Sequence, residues 1–331
     1  MVQFEEILRA MPQPYYRTSI GAAFVADALK VLPLLPDESI NLIMTSPPFA
    51  LRRKKEYGNV EPEQYVEWFK PFADELWRVL RPDGSIVIHL GGSWRAAMPV
   101  KSLYAFELLI YLCNRPQRPF YLAQDFYWFN TARLPSPAEW VTVRRIRVKD
   151  AVDYIWWLCK SPQPKADNMR VLKDYSPSMR ELLQKGYVPK LRPSGHDISH
   201  KFNNNRGGAI PPNFLAIANT ESNSYYLRRC SEMGIKPHPA RYPIGLPEFF
   251  IRFLTEPGDV VLDPFAGSNV TGEAAQRLNR YWIAIEIIRD YLEGSKFRFE
   301  QDLTFAGTEE STPKAAQLKL LDGRSQWTAE S

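Results

Sequence analysis

Cysteine is scarce: the 331 residues hold three, Cys113, Cys159 and Cys230. They are odd in number, far apart and without metal-ligand spacing. That excludes a disulfide framework and a zinc site, and fits a reduced cytosolic protein. Histidine is nearly as sparse, with four residues; His196 and His200 stand four apart, but their Pro, Gly and Asn neighbours mark a loop rather than a metal site. No apolar run is long enough to span a bilayer. No basic segment followed by an apolar one opens the chain, so no secretory signal is expected. The Gly-Lys-Ser/Thr of a phosphate loop is missing, which argues against ATP. GxGxxG is missing too, and this weighs only weakly against a dinucleotide.

What is present is a chain of soluble, globular composition, 45% hydrophobic, long enough for one elaborated domain or two. Its organising stretch is Ile40-Asn41-Leu42-Ile43-Met44-Thr45-Ser46-Pro47-Pro48-Phe49. The apolar run reads as a buried strand. Two prolines then stop it, since neither can extend a ladder and each restricts the residue before it. The Ser46 hydroxyl, the neighbouring carbonyls and the Phe49 ring are therefore expected in a stiff loop at a strand's carboxyl end, where open α/β sheets bind ligands. Ser-Pro-Pro alone is also a plain strand-ending turn. A second stretch, Asp263-Pro264-Phe265-Ala266-Gly267-Ser268-Asn269, likewise follows an apolar run. Gly267 there allows close backbone approach, and the following helix N-terminus favours a negative group. Glu286 ends the next strand about 20 residues on, the spacing of an acid that accepts from ribose hydroxyls.

In chain order, residues 1–20 read as a lightly ordered arm. A strand over 22–26 ends at Asp27, which can cap the next helix or accept from an adenine amino group. Arg52, Arg53, Lys54 and Lys55 form a cationic loop suited to phosphates. Helices are expected over 63–80 and 103–112, a turn over 81–84, and strands over 85–90, 125–130 and 140–148. Residues 141–210 carry 14 Lys+Arg against 6 Asp+Glu, a net of +8 where the whole chain has +5. With interleaved aromatics this is the footprint of a polyanion partner, although a solvated basic surface has the same composition. From 161 to about 234 the pattern loosens too much for a connector, which marks an insertion. A helix ends the 238–252 stretch, and the strand–turn–helix pattern resumes over 260–286. Residues 307–331 read as disordered. The alternation predicts an α/β fold, a mostly parallel sheet with flanking helices.

Together the two stretches resemble the SPP(F/Y) and DPFxGSG motifs of the beta group of DNA amino-methyltransferases, in that group's order. The segments TSPPFALRRKKEYGN, FYWFNTARLPSPAEW, RPSGHD and HPARYPIGLPEFFIR resemble the N4-cytosine methyltransferases of type II restriction-modification systems, over about residues 20–300. The resemblance implies a Rossmann-like S-adenosylmethionine-dependent fold with circularly permuted motif order. It divides the chain into an arm (1–20), a catalytic half (21–140), a target-recognition region (141–235), a cofactor half (236–306) and a tail (307–331). It assigns Ser46, Pro47, Pro48 and Phe49 to catalysis. S-adenosylmethionine falls to Asp27, Thr45, Asp263, Phe265, Gly267, Ser268, Asn269, Thr271 and Glu286, with Asp27 near adenine and Glu286 at the ribose. Residues 269–271 read Asn-Val-Thr where many relatives have Gly-Thr-Thr. Double-stranded DNA is the implied partner, met by Arg52, Arg53, Lys54, Lys55, Arg144, Arg145, Arg147, Lys149, Arg192 and His196. A cognate restriction endonuclease and a cytoplasmic, nucleoid-bound place in a prokaryotic cell are further implications; no metal or membrane is.

The chemistry follows from the target. A cytosine N4 amino group is a poor nucleophile because its lone pair is delocalised into the ring. Acceptors such as the Ser46 hydroxyl and the Pro47 carbonyl localise that pair, and Phe49 can stack on a base that has been flipped out of the duplex. C5 methylation in resembling enzymes uses a cysteine after proline, and none of the three cysteines here follows one. Ser at the first motif position points to N4-cytosine; the alternatives are adenine N6 on the same scaffold and a catalytically silent DNA-binding protein. His89 stands where relatives can carry an acid, and must be neutral to accept there.

Overall fold

Strands buried on both faces need apolar side chains at successive positions, and the two motif-bearing runs have them. The computed structural model describes residues 2–50, 58–186, 204–220, 224–300 and 303–304. Among these, ten strands form one sheet: β1 (Tyr16–Thr18), β2 (Gly21–Val25), β3 (Ile40–Thr45), β4 (Leu80–Leu90), β5 (Tyr121–Phe129), β6 (Val152–Cys159), β7 (Phe214–Ala216), β8 (Val260–Asp263), β9 (Tyr281–Glu286) and β10 (Leu303–Thr304). Their spatial order is β10-β1-β2-β9-β8-β3-β4-β6-β5-β7. The stretch from β2 to β4 is parallel throughout, whereas β6 runs antiparallel to both β4 and β5. The expected α/β architecture, mostly parallel with helices on both sides, is what forms.

Alternate residues of the central strands feed opposite layers. Ile43, Ile86, Ile88, Leu262 and Ile283 face a core shared with α1 (Val2–Arg9), α2 (Ala28–Val31), α3 (Tyr65–Val79) and α4 (Tyr104–Asn114). Leu42, Met44, Val87, Val261 and Ala284 face the other core, with α7 (Gly245–Leu254), α8 (Val270–Arg277) and α9 (Arg289–Ser295). Two helices, α5 (Pro177–Lys185) and α6 (Tyr225–Glu232), lie in the loosely patterned part of the chain.

Four expectations are corrected. Residues 1–20 are not a loose arm: Phe4 and Ile7 of α1 are buried, Phe4 stacks on Tyr281 at 4.6 Å, and Tyr16 hydrogen-bonds Ser295 at 2.6 Å. Pro12 and Pro14 merely separate two anchored pieces. The turn expected over 81–84 is instead a bulge inside β4: pairing passes from Ile40–Leu80 to Leu42–Ser85, so β4 advances five residues while β3 advances two. A bulge is where a sheet tolerates proline, here Pro82. The strand expected over 140–148 does not form. Trp140 is buried in a single wide turn, and the β-branched residues after it point to solvent, Val148 at 88% exposure. Arginines alternating with Val and Ile mimic a strand's period without any partner to pair with. Finally, β6 falls inside the 141–235 stretch assigned to target recognition, yet it is wedged between β4 and β5 in the sheet.

Candidate active site

After β8 the chain crosses through α8 to β9, and after β3 it crosses through α3 to β4 on the other side. Neighbouring parallel strands whose crossovers diverge leave a crevice at their carboxyl ends. Leu42 pairs with Val261 and Ile43 with Leu262, so the Ser46 and Asp263 loops emerge side by side although more than two hundred residues of chain separate them. The buried Thr45 hydroxyl donates to Asp263 Oδ1 at 2.7 Å and joins the two strand ends. Above this bond opens a cleft of about 1180 Å³ lined by both motif loops.

On one side the cleft is lined by Asp27, Phe265, Gly267, Ser268 and Glu286. Gly267 has φ +52, and a Cβ there would press the His238 ring at 3.1 Å, so glycine keeps this wall open. Glu286 accepts from the Gly267 and Ile288 amides, each at 2.8 Å; burial raises its carboxyl above the usual range despite these bonds. Asp27 caps α2 through the Leu29 amide at 3.0 Å and still borders the cleft. Trp68 and Phe72 of α3 pack on Phe265, at 5.9 and 5.0 Å, and form an aromatic wall. Behind the lining sit four further predicted residues. Asp263 accepts from Thr45, Thr271 and the Phe265 amide, and burial pushes its carboxyl up to about 6. Asn269 adopts a left-handed backbone, caps α8 through the Gly272 amide and donates to Tyr16. Thr45, Asp263, Asn269 and Thr271 thus shape the turn from within.

Ser46, Pro47, Pro48 and Phe49 line the other side. Tyr65 donates to the Pro48 carbonyl at 2.8 Å and Asn59 to the Phe49 carbonyl at 2.6 Å, which fixes the loop. Among the described residues the Pro47 carbonyl has no donor. Gly91 makes room for the Phe49 ring, which would collide with any Cβ at that position. Ser46 Oγ lies 3.0 Å from His89 Nδ1, and His89 Nε2 faces Asp153 Oδ2 at 3.5 Å. Arg133 donates to the other Asp153 oxygen at 2.8 Å. Burial works to raise the Asp153 carboxyl, but His89 and Arg133 outweigh it and hold the group below the usual range. The fold explains this meeting: β6 runs against β4, so its first residues reach the rim where β3 and β4 end, and His89 pairs in register with Ile155. Asp153, Arg133, Trp68 and the cleft-lining Tyr242 had not been singled out from the sequence. A lone carboxylate in the run Ala151-Val152-Asp153-Tyr154-Ile155-Trp156-Trp157 was the available signal for one of them.

Of the predicted DNA contacts, Lys149 borders the cleft. Arg144, Arg145 and Arg147 are exposed on the loop before β6; Arg144 pairs with Glu139 at 2.8 Å and Arg147 is tied to the Pro99 carbonyl. Arg52, Arg53, Lys54, Lys55, Arg192 and His196 lie outside the described residues, as does the 307–331 tail. Among the described residues no helix is long and apolar enough to cross a membrane.

A cleft with a glycine turn, two carboxylates and an aromatic wall on one side, and a polar, ring-lined niche on the other, can hold two flat molecules end to end. Comparison with known proteins places the chain in a family. The family profile described as DNA methylase matches residues 40–297. The type II methyltransferase M.PvuII of Proteus hauseri is 52% identical over 297 residues, covering 89% of this chain and 88% of that protein. M.BglII of Bacillus subtilis is 26% identical over 296 residues, covering 87% and 71%. Among solved structures, the cytosine-N4-specific PvuII DNA methyltransferase superposes with a TM-score of 0.71 at 47% identity, covering 87% of this chain and 89% of that one.

Proposed function

The chain belongs to the DNA methylase family, and from that membership we propose that it methylates the exocyclic N4 of cytosine at a specific site in double-stranded DNA, with S-adenosylmethionine as donor. The observation that carries this reading is the 2.7 Å Thr45–Asp263 bond, which brings the Ser46 loop and the Gly267 turn to one rim of one sheet. The residues present fit the donor: an aromatic wall at Phe265, Trp68 and Phe72 for adenine, Asp27 and Glu286 as acceptors, and a Gly267 cradle that a Cβ would narrow. When bound, the donor supplies a methyl group activated by a sulfonium centre.

The chain's own groups do the rest. The Ser46 hydroxyl and the Pro47 carbonyl accept from the amino hydrogens and draw the lone pair onto nitrogen. Phe49, braced by Gly91, offers its ring to the base. A duplex base cannot enter a niche this deep, so it is flipped out. Arg144, Arg145, Arg147, Lys149 and the cations of residues 52–55 and 192 serve phosphates or guanine edges. The 52% identity to M.PvuII supports cytosine N4 as the atom and a modification role beside a cognate endonuclease in a prokaryotic cytoplasm. Digestion of methylated DNA to nucleosides tests it: N4-methylcytosine is expected, and N6-methyladenine would overturn the choice of atom.

A further inference from the structure

We infer that His89, backed by Asp153 and Arg133, is a positioning residue that takes up, through Ser46, the proton the target amino group must lose. The inference rests on the proposed amino methylation and adds to it a route for the proton. When nitrogen bonds the methyl carbon and the carbon–sulfur pair returns to sulfur, the positive charge moves to the base. Neutral product then requires one N–H proton to leave. The Ser46 hydroxyl, which lines the niche, can take that proton only by passing its own onward.

The geometry supplies the receiver. For Ser46 to donate across 3.0 Å, His89 Nδ1 must be bare, so the neutral ring carries its hydrogen on Nε2, the atom 3.5 Å from Asp153 Oδ2. Arg133 occupies the other Asp153 oxygen and keeps the carboxylate ionised and turned. His89 is 4% exposed and Asp153 3%, so water does not compete for either side chain. The rings of Phe49, Trp128 and Tyr242 enclose the imidazole at 5.4, 5.3 and 6.0 Å. Of the groups facing His89, Ser46 comes from the end of β3, Asp153 from β6 with Arg133 behind it, and Tyr242 from the segment before α7. Burial raises the Tyr242 hydroxyl well above its ordinary value, so it stays neutral. The ionised partner is therefore Asp153, which stabilises the imidazolium once the proton arrives. The sequence of transfers is amino N–H to Ser46 Oγ, Ser46 Oγ–H to His89 Nδ1, and later His89 to solvent. A histidine facing an acid behind a hydroxyl has the layout of a hydrolase triad, used here to remove a proton without covalent attack.

Two readouts test it on the full-length protein. Ring-nitrogen NMR, with His89 assigned by its loss in His89→Asn, is expected to show Nε2–H at neutral pH and a protonation midpoint that moves to lower pH in Asp153→Asn. An Nδ1–H ring, or a midpoint indifferent to Asp153, would overturn the relay. In single turnover on DNA, the wild-type rate is expected to fall on the acid side with His89 protonation. His89→Asn loses that limb with a rate drop of about 10²–10⁴-fold, and Asp153→Asn moves the limb to lower pH. An unchanged acid limb in both variants would sink the idea. S-adenosylmethionine affinity by calorimetry is expected to be the same in all three proteins. Wild-type protein that binds the donor but methylates no DNA would defeat the functional reading alone, and the NMR result would still decide the proton's place.

Discussion

Asn269 adopts φ 54 and ψ 43, caps α8 with its side-chain oxygen and donates its amide to Tyr16. Replacing it with alanine removes the cap, worth about 1 kcal/mol, together with the side-chain hydrogen bonds by which asparagine tolerates a left-handed backbone. Asn269→Ala is expected to lose roughly 1–3 kcal/mol in urea unfolding, and Asn269→Gly less. Ser46→Ala is expected to leave donor affinity intact while kcat falls by about 10²-fold, since the acceptor proposed for the reacting nitrogen is lost; isothermal titration beside steady-state rates separates the two effects. At this scale the sequence was most legible where proline and glycine punctuate it. Ser46 to Phe49 and Gly267 could be placed at strand ends because only certain backbones admit those residues. Whether Thr45, Asn269 or Thr271 faces the cleft or the interior could not be read, because side-chain direction at a turn is set by partners such as Tyr16 that are remote in sequence.

Among elements, the pairing of β3 with β8 carries the site, and its polar clamp responds to pH. Burial raises the Asp263 carboxyl to about 6, so the folded chain holds this proton more tightly than the unfolded chain does. A group shifted this way contributes stability that is complete below its unfolded value and is lost as pH rises through about 6. Wild type is therefore expected to lose stability relative to Asp263→Asn between about pH 4 and pH 6, by at most roughly 3 kcal/mol at 1.36 kcal/mol for each tenfold change in acidity. Paired urea titrations across that range measure it. Thr45→Val keeps the shape, removes one donor from Asp263 and is expected to cost 1–3 kcal/mol in the same assay. The central strands were readable because burial on both faces leaves continuous apolar runs. The loop over 140–148 was misread because alternation is a local property while a strand needs a neighbour, and the N-terminal arm because its anchors are α9 and β9 at the far end of the chain.

For the whole molecule, charge rather than shape sets the expected response to salt. Arg145 is exposed and has no partner among the described residues, and Lys149 borders the cleft. If both meet phosphates, replacing them with alanine lowers the slope of log affinity against log salt by about 2, at roughly 0.9 for each contact. Fluorescence anisotropy across a salt series reads that change, and an unchanged slope would remove both residues from the interface. The basic excess over 141–210 was visible in composition, but β6 was hidden within it because a core strand and an exposed basic loop share one stretch of chain.

The antiparallel pair of β1 with β10, Thr18 beside Leu303, brings the first and last described strands together at one border of the sheet. A gene re-cut at the exposed Pro162–Gln163 bend, with a linker from residue 304 back to residue 2, would translate β8 and β9 before β3 and β4. The product should rebuild the same cleft, since nothing in the strand order depends on which half leaves the ribosome first.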